Sequence, residues 1–257
     1  MSASLTQTLF WLVPMFFVTA LIYASVGFGG GSTYLALLSF SGLTHTEMPM
    51  LALSCNLAVV FLGGLLFIKE RDLDLRLVLP FVVSSVPLAY VGGYWPIAKS
   101  TFCVLLGISL LVASIRLFLK LDDERCWETP SWQRCYYVGI PIGLLLGFLS
   151  GLTGIGGGIY LAPILYFLKW GSAKKIAAAS SVFIFVNSLS GICGQWMKNG
   201  HGPDERILLP LLLAVISGGI LGHVIGFKNI KPIRVQRVTA MLIFFVAVTV
   251  LLKQLFS

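Results

Sequence analysis

The chain has 257 residues, 57% of them apolar and only 11% charged, with 18 lysines and arginines against 10 carboxylates. A soluble domain carries about a quarter charged residues, so a soluble enzyme is excluded, and runs of roughly 20 apolar residues read instead as bilayer-spanning helices. The net charge of +8 lies in short loops between apolar runs, which points to orientation in a bilayer and away from nucleic acid.

In chain order the long apolar runs cover 9–26, 48–68, 77–95, 99–119, 136–153, 176–196, 206–226 and 236–252. The first lacks a basic leading segment and a small-residue cleavage pattern, so it reads as an uncleaved span. Two further runs, 32–43 and 159–169, are only 11 or 12 residues long. At about 1.5 Å per residue each reaches roughly half of a ~30 Å hydrocarbon core. Each short run directly follows a glycine cluster: "GFGGG" from Gly27 and "GIGGG" from Gly154, 127 residues apart.

The basic residues decide what the short runs do. If they continue the crossing, lysine and arginine divide almost evenly between the two sides. If they turn back, 14 fall on one side, including Lys69, Arg71, Arg76, Arg134, Lys169, Lys174 and Lys175, and four on the other, Lys99, Lys198, Arg206 and Lys253. Positive charge collects on the cytoplasmic side, so the short runs turn back and both termini lie on the non-cytoplasmic side. Each half then holds five elements and the second half enters from the opposite face. The expected architecture is an all-α polytopic membrane protein, with eight long transmembrane helices and two half-helices in two inverted-topology repeats (5+5). Repeat 1 covers about 1–120, a cytoplasmic linker 121–134 and repeat 2 135–257, in one transmembrane domain. Inverted repeats of this kind recur in secondary transporters.

Inside a bilayer, non-helical backbone is tolerated only where protein buries it or where it lines a cavity. Glycine clusters let the chain turn through conformations with φ > 0, and the next helix begins with unsatisfied N–H groups and a partial positive charge. Two inverted breaks would aim two helix N-termini at one midplane site, an anion site that needs no lysine or arginine. Close helix packing is the plainer use of glycine, but two clusters in equivalent places favour a substrate-lining break. The candidate binding residues are therefore Gly27, Phe28, Gly29, Gly30, Gly31, Ser32 and Thr33, with Gly154, Ile155, Gly156, Gly157, Gly158, Ile159 and Tyr160. The spacing does not match the G-x-G-x-x-G dinucleotide motif.

All ten carboxylates fall in loops or at span edges. A buried carboxylate marks cation sites and proton relays, so the expected cargo is a small anion. The spans likewise offer no carboxylate pair, nucleophile–base pair or metal cluster, so no enzyme, cofactor or metal is expected. Five cysteines, Cys55, Cys103, Cys126, Cys135 and Cys193, form no C-x-x-C, and three lie in apolar runs; neither a disulfide framework nor zinc follows. Polar residues within the spans complete the site: Ser54, Asn56, Ser180, Ser181 and Asn187, with Ser25, Ser188, Ser190 and Gln195 nearby. For the serines a bond to their own helix carbonyls is the default, whereas ligand contact and interhelical bonding stand level for the two asparagines. His223 is the candidate for a coupling proton, although a histidine at a span edge is more often structural. Arg116 can snorkel to the surface.

The stretches "ASVGFGGGSTYLALLSFSG", "ALSCNLAVVFLGG", "SGLTGIGGGIYLAPILYFLKWG" and "AAASSVFIFVNSLSG" together resemble the TauE/SafE (sulfite exporter, TSUP) family over essentially the whole chain. The second half is the closer match, through Pro163 and Asn187, while Ala36 stands where Pro163 does and "NLAVVFLGG" lacks the N-S-L step. The resemblance implies an inner-membrane permease that moves sulfite, thiosulfate or organosulfonates, with protons or the electrochemical gradient as the driving force. The expectation is a secondary exporter working by alternating access, with an anion channel or a permease for small carboxylates as alternatives. Its partners would be the small anion and the lipid bilayer, in an oligomeric state the sequence leaves open.

Overall fold

The computed structural model describes residues 3–25, 28–69, 73–118 and 130–226, and of the last stretch 241, 244, 247, 248, 251 and 252. Every element there is a helix: α1 (Ala3–Ser25), α2 (Gly31–Leu38), α3 (Glu47–Lys69), α4 (Leu75–Tyr94), α5 (Lys99–Phe118), α6 (Trp132–Thr153), α7 (Gly158–Leu168), α8 (Ala173–Asn199) and α9 (Glu205–Gly226). Their ends follow local chemistry. Asp74, Ser131 and Ser172 cap α4, α6 and α8 with their side chains, so α6 and α8 begin before their apolar runs do. Gly200, at φ 73°, closes α8.

Among the described residues, five helices are long and apolar enough to cross a membrane, over Gln7–Ser25, Leu75–Tyr94, Trp132–Thr153, Lys175–Asn199 and Glu205–Val224. That is fewer than the eight the sequence leads one to expect. Helices α3 and α5 are 23 and 20 residues long, but their apolar stretches, among the described residues, are Glu47–Phe61 and Ser100–Val112, and the run 236–252 lies largely outside the described residues. The short run after the first glycine cluster also stops early, at Leu38 instead of 43. Ser39 and Ser41 turn their hydroxyls onto the carbonyls of Ala36 and Leu38 (2.7 and 2.6 Å), and Gly42 takes φ 77°. Hydroxyls that bond the backbone in this way compete with helix continuation. The second short run behaves as its apolar length predicts, ending at Leu168.

The helices pack as two groups. Buried side chains of α1, α2, α3 and α5 form one core with Ile207, Leu211, Ala214 and Val215 of α9. Those of α6, α7 and α8 form a second with Leu77, Val78 and Phe81 of α4. Sequence halves and packing groups therefore differ: α4 and α9 are exchanged. The two groups meet mainly along α3 and α8.

Within the second group α6 presents glycine at every fourth residue, Gly139, Gly143, Gly147 and Gly151, to α4. A Cβ on Gly143, Gly147 or Gly151 would run into the carbonyl of Phe81, Ser85 or Ala89. Small residues at this spacing let helix backbones approach closely in a membrane. Gly147→Val should therefore lower stability by about 1–3 kcal/mol, read as a drop in melting temperature of the detergent-solubilised protein. An unchanged melting temperature would contradict the close contact.

Candidate functional site

The two glycine breaks come together at the seam between the groups. At the first, the Phe28 N–H returns to the Tyr23 carbonyl (3.0 Å), and Gly30 stands at the head of α2 with φ −93° and ψ 16°. The Gly31 N–H donates to Oδ1 of Asn56 on α3 at 3.2 Å. The same amide donates through Nδ2 to the Ile155 carbonyl of the second break (3.4 Å) and to Ser188 Oγ on α8 (3.5 Å). One buried asparagine thus ties both breaks and both central helices. A Cβ on Gly31 would strike the Ile155 carbonyl, and one on Gly29 or Gly156 would strike the Asn56 amide.

The conformational expectation holds for one break only. Gly154, Gly156 and Gly157 take φ of 78°, 83° and 78°, which L side chains rarely adopt, whereas Gly29, Gly30 and Gly31 do not use positive φ. At the first break glycine is required by close approach. At the second, Gly154 closes α6 through its N–H to the Ser150 carbonyl (2.8 Å), and α7 starts after the turn.

The surroundings of the two breaks also differ. The hydroxyls of Tyr23 and Thr33 lie 2.8 Å apart beside the first, so those groups satisfy one another, while the Tyr34 hydroxyl, 3.0 Å from where a Cβ of Gly30 would stand, has no hydrogen-bond partner among the described residues. Counting back 127 residues from Ser150 gives Tyr23. Ser150 itself is fully buried, and its Oγ lies 3.3 Å from where a Cβ of Gly157 would stand. Neither Ser150 Oγ nor Ser180 Oγ has a hydrogen-bond partner among the described residues, and the Ser180 carbonyl flanks Gly158 at the start of α7. A buried hydroxyl without a partner is costly, and that of Ser150, beside the turn into a helix N-terminus, is a neutral donor suited to an anion.

Of the other candidates, Phe28 and Tyr160 are half-buried against both cores. Ser32, Thr33, Ile155 and Ser181 are buried and Ser54 is half-buried. Asn187 is buried and donates to the Phe183 carbonyl of its own helix at 2.8 Å, while its Oδ1 is unpartnered among the described residues. Asn56 and Asn187 are therefore unlike: the first joins elements and the second bonds its own helix. Ser25 also bonds its own helix, at the Ile22 carbonyl. Ser190 and Gln195 join helices, donating to Val86 and Gly151 carbonyls at 2.6 and 3.2 Å. Gly27, the side chain of Ile159 and that of Arg116 lie outside the described residues. His223, on α9, is buried against Gly63 of α3, with Nε2 unpartnered among the described residues. Sequence reasoning passed over Ser150; its signal was position, one turn before the glycine cluster.

The family described as sulfite exporter TauE/SafE matches residues 12–250. The chain belongs to the TauE/SafE family. This member is similar to the probable membrane transporter protein y4hK of Sinorhizobium fredii, at 33% identity over 86% of this chain and 89% of that protein. It is also similar to the probable membrane transporter protein YunE of Bacillus subtilis, at 29% identity over 84% of this chain and 88% of its relative. A probable membrane transporter protein of Methanocaldococcus jannaschii is 25% identical over 90% of each. No solved structure matches the chain. The TauE/SafE chain is accordingly a multi-pass membrane transporter.

Proposed function

We propose that this TauE/SafE member is a secondary transporter that exports small sulfur-containing anions, sulfite, thiosulfate or an organosulfonate, across the inner membrane by alternating access. The observation that carries the reading is the start of α7. The turn into a helix N-terminus there meets the buried Ser150 hydroxyl and passes the Ser180 carbonyl, neither serine hydroxyl has a partner among the described residues, and this happens at the seam between the two packing groups. A site on such a seam is exposed to one side or the other as the groups move. Neutral donors and a helix end favour an anion. The sulfur comes from the family.

The site in this reading is lopsided. Tyr23, Thr33 and Asn56 occupy the first break, so the anion rests against α7, with Ser150 and Ser180 donating to its oxygens. The remainder of the mechanism follows the inverted arrangement. The pairing of α1 with α9 and of α6 with α4 is what two halves related by a twofold axis in the membrane plane would give, and it supports five elements per half. His223 serves as the coupling group for a proton. Export follows from a negative cell interior, which drives anions outward.

The test is flux in proteoliposomes of sulfite, thiosulfate, sulfoacetate and acetate, with and without a pH gradient. Ser150→Ala should raise the KM for the transported anion about tenfold, the value of one hydrogen bond to a charged group, with the melting temperature unchanged. Absence of flux for every anion would overturn the reading. Acetate carried in preference to sulfite would replace it with a carboxylate permease, and single-channel currents with a channel.

A further inference from the structure

A second polar feature lies away from the glycine breaks, where α4, α6 and α8 begin. A cavity of about 550 Å³ opens there, lined by Asp74, Arg76, Ser131, Gly171 and Lys175 among others. Three helix starts converge on it. In each, one N–H is taken by the cap: Arg76 N by Asp74 Oδ1 (3.1 Å), Arg134 N by Ser131 Oγ (3.4 Å), and Lys175 N by Ser172 Oγ (3.5 Å). The other first-turn donors and the positive helix ends remain directed outward.

Two cations line the cavity against one carboxylate. Lys175 Nζ is 3.6 Å from Asp74 Oδ2, so Asp74 holds the ammonium at the wall without cancelling Arg76. The Arg76 guanidinium lies 5.7 Å from the centre of the Trp132 ring, and Trp132 stacks on Tyr136 with centroids 6.0 Å apart. Both rings are partly exposed, at 41% and 38%. Beside them Leu75, Leu79 and Val83, spaced by one helical turn, form an exposed apolar stripe along α4. Exposed tryptophan and tyrosine at the end of a spanning helix mark the membrane–water interface. The cavity therefore combines a positive polar floor with a lipid-facing flank. A free anion would use the floor alone, whereas an amphiphile with an anionic head uses both.

We propose that this cavity binds the head group of an anionic phospholipid, with its phosphate diester held by Arg76, Lys175 and the first-turn N–H groups, and its acyl chains along the α4 stripe. The site is independent of the anion path through the glycine breaks.

The experiment reconstitutes the full chain into nanodiscs of equal parts phosphatidylcholine and phosphatidylglycerol, extracts it in mild detergent and counts retained lipids by native mass spectrometry. Wild type should retain phosphatidylglycerol in preference to phosphatidylcholine. Lys175→Gln should reduce that preference about fivefold, and the Arg76→Gln, Lys175→Gln pair about thirtyfold, as each cation near a membrane surface contributes comparably. Arg206→Gln, at the opposite end of the molecule, should change nothing. The single Lys175 variant leaves all three caps in place and decides the matter if the double variant does not fold. Equal retention of the two lipids by wild type, an unchanged preference in the Lys175 variant, or displacement of the lipid by millimolar inorganic phosphate would overturn the proposal.

Discussion

Gly156→Leu should reduce anion flux about a hundredfold or more in proteoliposomes, normalised to inserted protein. At φ 83° any L residue adds roughly 1–2 kcal/mol of backbone strain. The new Cβ would also collide with the Asn56 amide and lie 2.9 Å from Ser188 Oγ. Displacing that network leaves buried polar groups unpaired, at about 1–3 kcal/mol each. Together these effects come to some 3 kcal/mol, or two orders of magnitude in the population of the competent state. Gly202→Leu is the matched control: nothing lies within 4 Å of its Cβ position, and its φ is not positive. Near-normal flux through the Gly156 variant would show that the second break does not line the path.

Asn56→Leu should have the second largest effect, and on stability as well as transport. The substitution is close in volume but strips partners from the Gly31 N–H, the Ile155 carbonyl and Ser188. The melting temperature should fall by roughly 5 °C or more, and flux about tenfold or more, because both breaks lose their shared anchor. Asn187→Leu provides the contrast. That amide donates to a carbonyl four residues earlier in its own helix, so the stability change should stay within about 1 kcal/mol. Equal melting temperatures for the Asn56 variant and wild type would mean that the bridge between the breaks contributes nothing to the fold.

The helices and the two breaks were legible because they rest on local signals. A 20-residue apolar run, a half-length run behind a glycine cluster and a capping serine each act over a few turns at most. The start and end of α7 follow from that reasoning to within a residue. Tertiary partnership was not legible in the same way. Asn56 and Asn187 look alike as polar residues in apolar sequence, yet only Asn56 faces three different elements. Ser150 looks like one more helix-bonding serine until Gly157 is seen beside it. The four glycines of α6 show a clear four-residue spacing, but spacing alone does not say which helix they receive. Neither does chain order disclose that α4 and α9 pack with the opposite half.

That exchange has a mechanical side. The backbone passes from one packing group to the other four times, between α3 and α4, α4 and α5, α5 and α6, and α8 and α9. Four residues, 95–98, join α4 to α5, and five, 200–204, join α8 to α9. Fully extended, such tethers span no more than about 14 and 18 Å. Both lie at the end where the last turns of α4 and α8 touch, Gly93 against Gly191 and Gly194 against Tyr90, so the two groups are leashed together at that one end.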